Sequence, residues 1–401
     1  MEKWNTNSMK KLLVFFIFAI MCSCLFNQTA VFVFASEKQL INISELDLGS
    51  NENNSLLRKQ INELNQQAQV NMIYKIMGMG FSLEEAVNYV FPNLKNSFEN
   101  LEDKYNVLPQ NASVCAQRNN CKIDYILDKN GKSIKKTAFY SDFFNFLQKS
   151  DNIKIQFETV YPEIKISDIK KQYFLVSDFS TDFASSSFER KNNIITACEA
   201  INGKLIKKGE VFSFNKETGL RTVDNGYMES KIISGGDYVS GVGGGVCQVS
   251  TTLYNACLLA ELEIVEVHNH SLPTNYVKPC FDAMVNMGSA DLKIRNNSKI
   301  DYLITCSTVG DKCRICIYGK PCEYKVKTRF EKYQEIEAKT NRIVNDGKYD
   351  YLGKGEHVIV QPINGYKARG YLDYYKDDVL IKSEKIRDNT YSSRDCVIVG
   401  V

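Results

Sequence analysis

Apolar positions recur at helical spacing in the first part of the chain and alternate with polar ones through most of the rest. After residue 57 the spacing predicts helices. Ser82-Leu83-Glu84-Glu85 has the form of a capping box, and Pro92 ends that helix. The pattern then changes. Short strands are expected at residues 112–116 and 122–127, a turn at Asp128-Lys129-Asn130-Gly131, a helix at 139–148 and a strand at 153–159. A helix over 189–201 closes at Asn202-Gly203, a common C-terminal cap, and strands follow at 211–214 and 227–233. Gly235-Gly236-Asp237 turns the chain toward a glycine run at 243–245, a helix, and a β-rich run over 263–268. Further strands are expected at 283–287, 292–295, 302–307 and 313–318. Residues 322–401 read as β-rich and charged, with Gly353, Gly355, Gly365 and Gly370 as turn points and a final strand at 397–401. The fold class expected is α+β. A cysteine-bearing helix packs on a mainly antiparallel sheet, after a helical and α+β N-terminal module and before a small β-rich one.

The first 35 residues have a different pattern. Lys10-Lys11 precedes an apolar stretch from Leu12 to Phe26, and Val33-Phe34-Ala35 precedes Ser36 as a small-residue cleavage site would. Export is expected, with a mature start at Ser36. The apolar character resumes after Asn27-Gln28-Thr29, so an uncleaved anchor is the rival, and Ser23-Cys24 weakly resembles a lipoprotein site. The membrane is expected to be touched only there, leaving the folded part outside the cytoplasm, in the wall or anchored to the membrane. Residues 36–56 are polar and asparagine-rich and read as a spacer.

Net charge is +3, and removing residues 1–35, which carry three lysines against one glutamate, lowers it to +1. That balance argues against a nucleic-acid partner. Of the 13 cysteines, Cys22 and Cys24 leave with the signal. The odd number remaining means at least one free or intermolecular thiol in an exported chain. Cys115 and Cys121 flank a turn and are candidates for a bridge. Cys313 and Cys316 lie on a β-like run, where residues three apart point to opposite faces, and no second pair or histidine completes a zinc set. No metal and no cofactor are expected.

The chemistry concentrates at Gly243-Gly244-Gly245-Val246-Cys247, where a glycine loop turns into a helix. The orphan N–H groups and dipole of a helix N-terminus favour a thiolate and can hold an oxyanion. Two of the three histidines, His268 and His270, end the strand that follows, and alternation would point them the same way. A cysteine on a helix packed beside a histidine on a strand is the layout of papain-like thiol enzymes. The plain alternative for Cys247 is a buried small hydrophobe, the role expected of Cys257.

From about residue 179 to 319 the chain resembles the VanW family of bacterial cell-wall proteins. The resemblance lies in Phe179-Ser180-Thr181, Glu189-Arg190-Lys191-Asn192-Asn193-Ile194, Gly209-Glu210-Val211-Phe212-Ser213-Phe214-Asn215, the run from Gly243 to Asn255, His270-Ser271-Leu272-Pro273, Asp282-Ala283, Gly288-Ser289-Ala290-Asp291-Leu292 and Asn296-Asn297. Two departures stand out: Glu261 where glycine is common, and Cys280-Phe281 in place of a frequent Gly-Arg. The resemblance implies a VanW-like domain at 176–321, an N-terminal module at 57–175 similar to a peptidoglycan-binding domain, and a C-terminal module at 322–401 faintly similar to a glycine-rich wall-binding one. It implies peptidoglycan stem peptides and glycan as partners, and L,D-transpeptidase chemistry through a cysteine thioester. Cys247 is then the nucleophile, His270 the base and Asp282 the group that orients it, with a structural aspartate as the plain alternative for Asp282. Gly244, Gly245 and the Cys247 amide become candidates for the oxyanion site. Ser250, Thr251, Arg221 and Asn225 become candidates for substrate contacts, against a first-turn role for the hydroxyls and a surface salt bridge for Arg221. The alternatives are a wall amidase or endopeptidase using the same thioester, and a non-catalytic peptidoglycan-binding protein.

Overall fold

A computed structural model describes residues 31–34, 40–42, 66–149, 153–234 and 237–400. The chain forms two compact units, one reaching Ala112 and including Leu127–Lys165, the other made of Ser113–Ile126 and the chain from Ile166 on. In the first unit β1 (Val31–Phe34) pairs antiparallel with β2 (Leu40–Asn42). The rest of the expected export segment and spacer lies outside the described residues. Helices α1 (Gln66–Met77), α2 (Leu83–Val90) and α3 (Leu94–Tyr105) follow. Both halves of the Ser82–Glu85 capping box form, which satisfies two of the orphan donors of α2.

The hairpin of β3 (Ser113–Ala116) and β4 (Ile123–Ile126) belongs to the second unit, although its sequence pattern groups it with the N-terminal module. Its turn supplies the reason. Tyr318 Oη donates to Cys121 O at 3.0 Å, and Thr308 N donates to Asn119 Oδ1 at 2.7 Å. Back in the first unit, β5 (Gly131–Ile134) leads into α4 (Lys136–Lys149), β6 (Lys154–Ile155) and β7 (Phe157–Val160). Phe139, Tyr140 and Phe143 of α4 pack into a core with Phe91 and Phe98, burying large apolar surfaces that hold the short helices together.

The second unit continues through α5 (Ile166–Lys170), β8 (Phe174–Asp182), α6 (Phe188–Ile201), β9 (Leu205–Ile206), β10 (Val211–Ser213), α7 (Phe214–Thr218), and the hairpin of β11 (Glu229–Ser234) and β12 (Asp237–Val242). Then come α8 (Val246–Leu259), β13 (Glu263–Glu266), β14 (Lys293–Arg295), β15 (Tyr302–Ser307) and β16 (Lys312–Gly319). The order β8-β16-β15-β9 makes an antiparallel sheet, on which α8 lies. Three polar contacts fix it there: Ser177 Oγ donates to Ala256 O at 2.7 Å, Gln248 Nε2 donates to Asp182 O at 2.8 Å, and the Thr181 and Thr252 hydroxyls meet at 2.8 Å. A second antiparallel sheet has the order β10-β14-β13.

α8 is buried on nearly every side, so its polar residues must find partners. They find them in the segment over 281–283. Asn255 Nδ2 donates to Phe281 O at 2.7 Å, Ser250 Oγ donates to Ala283 O at 2.6 Å, and Ala283 N donates to Thr251 Oγ1 at 2.9 Å. This corrects the strand expected at 283–287, which forms only single bridges at Met284 and Asn286 because its backbone groups serve the helix instead. Another correction concerns β13, which ends at Glu266 after a bulge, so strict alternation does not carry on to the histidines.

The C-terminal strands are β17 (Lys325–Ile336), β18 (Thr340–Val344), β19 (Glu356–Val360), β20 (Gly365–Lys376), β21 (Val379–Tyr391) and β22 (Cys396–Gly400). They form two sheets, β17-β20-β21 and β18-β22-β19, antiparallel except for β18 with β22. Gly370, expected at a turn, lies inside β20. A Cβ there would stand 2.7 Å from Cys280 Cβ, so close approach of two backbones selects the glycine. Cys280 has φ +70 and Glu261 φ +56. The two departures from the family pattern therefore fall at left-handed positions, where glycine is the unstrained residue.

Candidate active site

Cys247 is the second residue of α8, after an N-cap glycine, Gly245, at φ +107. Its loop is held tightly. A Cβ at Gly244 would lie 2.5 Å from Lys231 O, and one at Gly245 3.0 Å from Arg190 Cγ, so these glycines are needed by their protein neighbours as well as lining the cleft. Asn193, fully buried on α6, accepts from Met228 N at 2.7 Å and donates to Gly244 O at 2.9 Å, which pins the loop to the preceding segment.

His270 and Asp282 converge on Cys247. His270 is 4% exposed and Asp282 1%. Asp282 Oδ2 accepts from His270 N at 2.7 Å and from His270 Nδ1 at 2.8 Å. A carboxylate only accepts, so Nδ1 carries a proton and Nε2 is the nitrogen left for the sulfur. His270 stands close enough to the Cys247 thiol for each to shift the other's pKa, and the thiol itself donates to Val285 O at 3.4 Å. Val285 N also donates to Cys247 Sγ, at 3.5 Å.

Burial pushes the Cys247 thiol up, but the His270 hydrogen bond and charge, the Val285 amide and the Arg221 guanidinium outweigh it and hold the pKa below the ordinary thiol value. Burial likewise depresses His270, yet hydrogen bonds to Asp282 and Cys247 raise it to about 9. For Asp282 burial is again opposed, by His270 and then Tyr391, and the carboxyl stays below its usual value. All three shifts run toward the charged forms: thiolate, imidazolium and carboxylate.

His268 does not join them. Its side chain is 41% exposed and its Nε2 meets Glu266 Oε1 at 3.0 Å. Ser250 and Thr251 are fully buried and bind the main chain at 283, so neither lines the cleft. Asn225 is exposed and donates to Leu220 O at 2.8 Å, also away from the cleft. Arg221 does line it, with Nη2 on Asn215 Oδ1 at 2.6 Å and Nη1 buried without a hydrogen-bond partner among the described residues. A surface salt bridge is therefore not its role. The cleft measures about 1920 Å³. Small-molecule sites measure roughly 300–1,000 Å³, so this cleft is larger than most of them.

Sequence reasoning gave no role to Arg190, Asn193, Gln248, Tyr276 or Tyr391. Arg190 Nη2 donates to Gln248 Oε1 at 2.8 Å, tying α6 to the first turn of α8, and Tyr276 lines the cleft. Arg190 and Asn193, three apart on a predicted helix, share a face, and that spacing was the available signal. Tyr391 had none.

The candidate bridge between Cys115 and Cys121 does not form; all eleven described cysteines are free. Cys313 Sγ lies 3.4 Å from Cys198 Sγ on one face of β16, while Cys316 meets Cys121 on the other. The pair at 313 and 316 thus shares no ligand-sized space.

The fold is an α+β domain that presents a cysteine at a helix N-terminus beside a buried His–Asp pair. The family model described as VanW like protein matches residues 189–318. "Uncharacterized protein YoaR" of Bacillus subtilis (strain 168) is 30% identical over 220 residues, 54% of this chain and 71% of that one. "Vancomycin B-type resistance protein VanW" of Enterococcus faecalis (strain ATCC 700802 / V583) is 32% identical over 125 residues, 30% of this chain and 46% of that protein. The chain belongs to the VanW family. The solved structure titled "Crystal structure of HP0197-G5" aligns with 20% of the chain and all of its own, at 15% identity and a TM-score of 0.13. Among the described residues no helix is long and apolar enough to cross a membrane.

Proposed function

We propose that this chain is an exported, peptidoglycan-modifying L,D-transpeptidase that acts through a cysteine thioester. The observation that carries the reading is the Cys247–His270–Asp282 relay at the wall of a large cleft. The Cys247 thiolate attacks the carbonyl between the third residue of a stem peptide and its terminal D-residue. The tetrahedral oxyanion is held by the Cys247 amide and its neighbours in the glycine loop. His270, protonated at the start, gives its proton to the departing amine of the D-residue, and a thioester remains. An amine from a neighbouring stem then loses a proton to His270 as it attacks the thioester, which restores the thiol pair and leaves a cross-link. Asp282 keeps Nδ1 protonated throughout, so the reacting nitrogen is always Nε2. Arg221, with a guanidinium nitrogen unpaired at the cleft wall, supplies positive charge for the substrate carboxylate. A relative described as a vancomycin B-type resistance protein supports a setting in the cell wall.

Incubation with a disaccharide-tetrapeptide, followed by mass analysis of products and protein, tests the reading. The expected result is a tripeptidyl adduct on Cys247, release of the D-residue and cross-linked dimer. Trimmed stems without dimer would assign a hydrolase instead, and bound but unchanged muropeptide would assign a binding protein.

A further inference from the structure

The polar network does not stop at Asp282. Its Oδ1 takes a hydrogen bond from Tyr391 Oη at 2.5 Å, and Tyr391, 1% exposed, is the last residue of β21 in the C-terminal module. The direction of that bond follows from the other two partners of the phenol. Cys280 N donates to Tyr391 Oη at 2.7 Å, and Asn389 Nδ2 donates to it at 3.3 Å. Both are donors only, so they occupy the two lone pairs, and the single phenolic proton has Asp282 Oδ1 as its acceptor. Burial first, and then the neighbouring carboxylate, push the phenol far above its ordinary value, so it keeps that proton.

Other contacts hold the same strand end against the site. Arg387 Nη1 donates to Asp282 O at 3.1 Å, and Ser392 N donates to Ser271 O at 2.7 Å. Gly370 of β20 lets Cys280 approach, which places the Cys280 amide under the phenol. One carboxylate is thereby clamped from two sides, with His270 on Oδ2 and Tyr391 on Oδ1.

We infer that Tyr391 is a positioning residue of the thiol site, fixing the Asp282 carboxylate so that Oδ2 faces the His270 Nδ1–H, and that the C-terminal module is a working part of the site. This rests on the reading of Cys247 and His270 as nucleophile and base. It gives the module a task beyond wall binding. The span matched by the family model, residues 189–318, lacks Tyr391, so that span alone lacks one of the hydrogen bonds that orient its own histidine.

The test is the rate of Cys247 alkylation by iodoacetamide as a function of pH, read by peptide mass mapping on the full chain. In the parent protein the midpoint is expected below that of an ordinary thiol. Tyr391→Phe deletes one oxygen and keeps the ring that packs on Tyr366 at 5.1 Å between centroids, so the fold is expected to persist. Its midpoint is expected to rise by about one pH unit, with labelling at pH 6.5 slowed about tenfold. 4-Fluorophenylalanine at position 391 fills the volume of the hydroxyl without a proton to give, and is expected to show the same shift should the Phe variant fold poorly. Cys280→Ala loosens the same packing but keeps every hydrogen bond on the phenol, and is expected to leave the midpoint in place. A merely structural Tyr391 would lower the melting temperature without moving the midpoint, and a folded variant titrating like the parent would overturn the inference. An ordinary midpoint in the parent itself would overturn the nucleophile reading first, and this inference with it.

Discussion

Two cysteines on one helix have opposite fates. Cys257 sits in the apolar middle of α8, fully buried, and burial alone pushes its thiol up. Cys247 is half-buried at the cleft, where desolvation also pushes the thiol up, yet His270, the Val285 amide and Arg221 reverse the effect. Burial therefore does not decide whether a thiol is inert. What decides is the set of polar groups aimed at the sulfur, and in this fold those groups come from segments far along the chain.

The largest effect should come from removing the reactive sulfur. Cys247→Ala is expected to abolish thioester and dimer formation by about 10⁴-fold or more while leaving the thermal midpoint within a few degrees, checked by product analysis beside calorimetry. Next in size is the pH profile of the parent protein. The Cys247 pKa is lowered and the His270 pKa raised to about 9, so the productive ion pair exists between those limits. Single-turnover acylation should rise below the ordinary thiol range and fall as pH passes about 9, where the imidazolium proton needed by the leaving amine is lost. A rate rising monotonically through pH 10 would mean that hydroxide chemistry or an ordinary thiol is at work.

Smaller effects sharpen the contrast between the helix end and its middle. Asn193→Ala leaves Met228 N and Gly244 O without their buried partner, at a cost of about 2 kcal/mol seen in denaturant unfolding, and should slow Cys247 labelling by loosening the loop. Cys257→Ala removes a buried sulfur with no polar task and should cost only about 1–2 kcal/mol, with acylation unchanged.

Much of this arrangement was legible in the sequence where the signal was local. The capping box at Ser82, the helix over 188–201 with Gly203 after it, and the cysteine at a glycine-led helix start all follow from neighbours within a few residues. The antiparallel pairing of β15 with β16 follows from the short connection between them, too short for a parallel crossover. Long-range polar contacts were not legible. The strand expected at 283–287 failed because backbone groups of Ala283 and Val285 are spent on Ser250, Thr251 and Cys247. The shared facing of His268 and His270 failed because a bulge and the end of β13 intervene. Arg190 and Asn193 had a helical spacing to suggest a common face, whereas Tyr391 reaches Asp282 across 109 residues with no pattern to announce it.

The most direct measurement of the central claim is competitive iodoacetamide labelling at pH 6.5, comparing Cys247 with Cys257 and Cys198 in the parent protein and in His270→Ala. The account predicts that Cys247 reacts at least about tenfold faster than the other two, and that His270→Ala removes most of that advantage. Equal rates at the three cysteines, or a Cys247 rate untouched by loss of the imidazole, would contradict it.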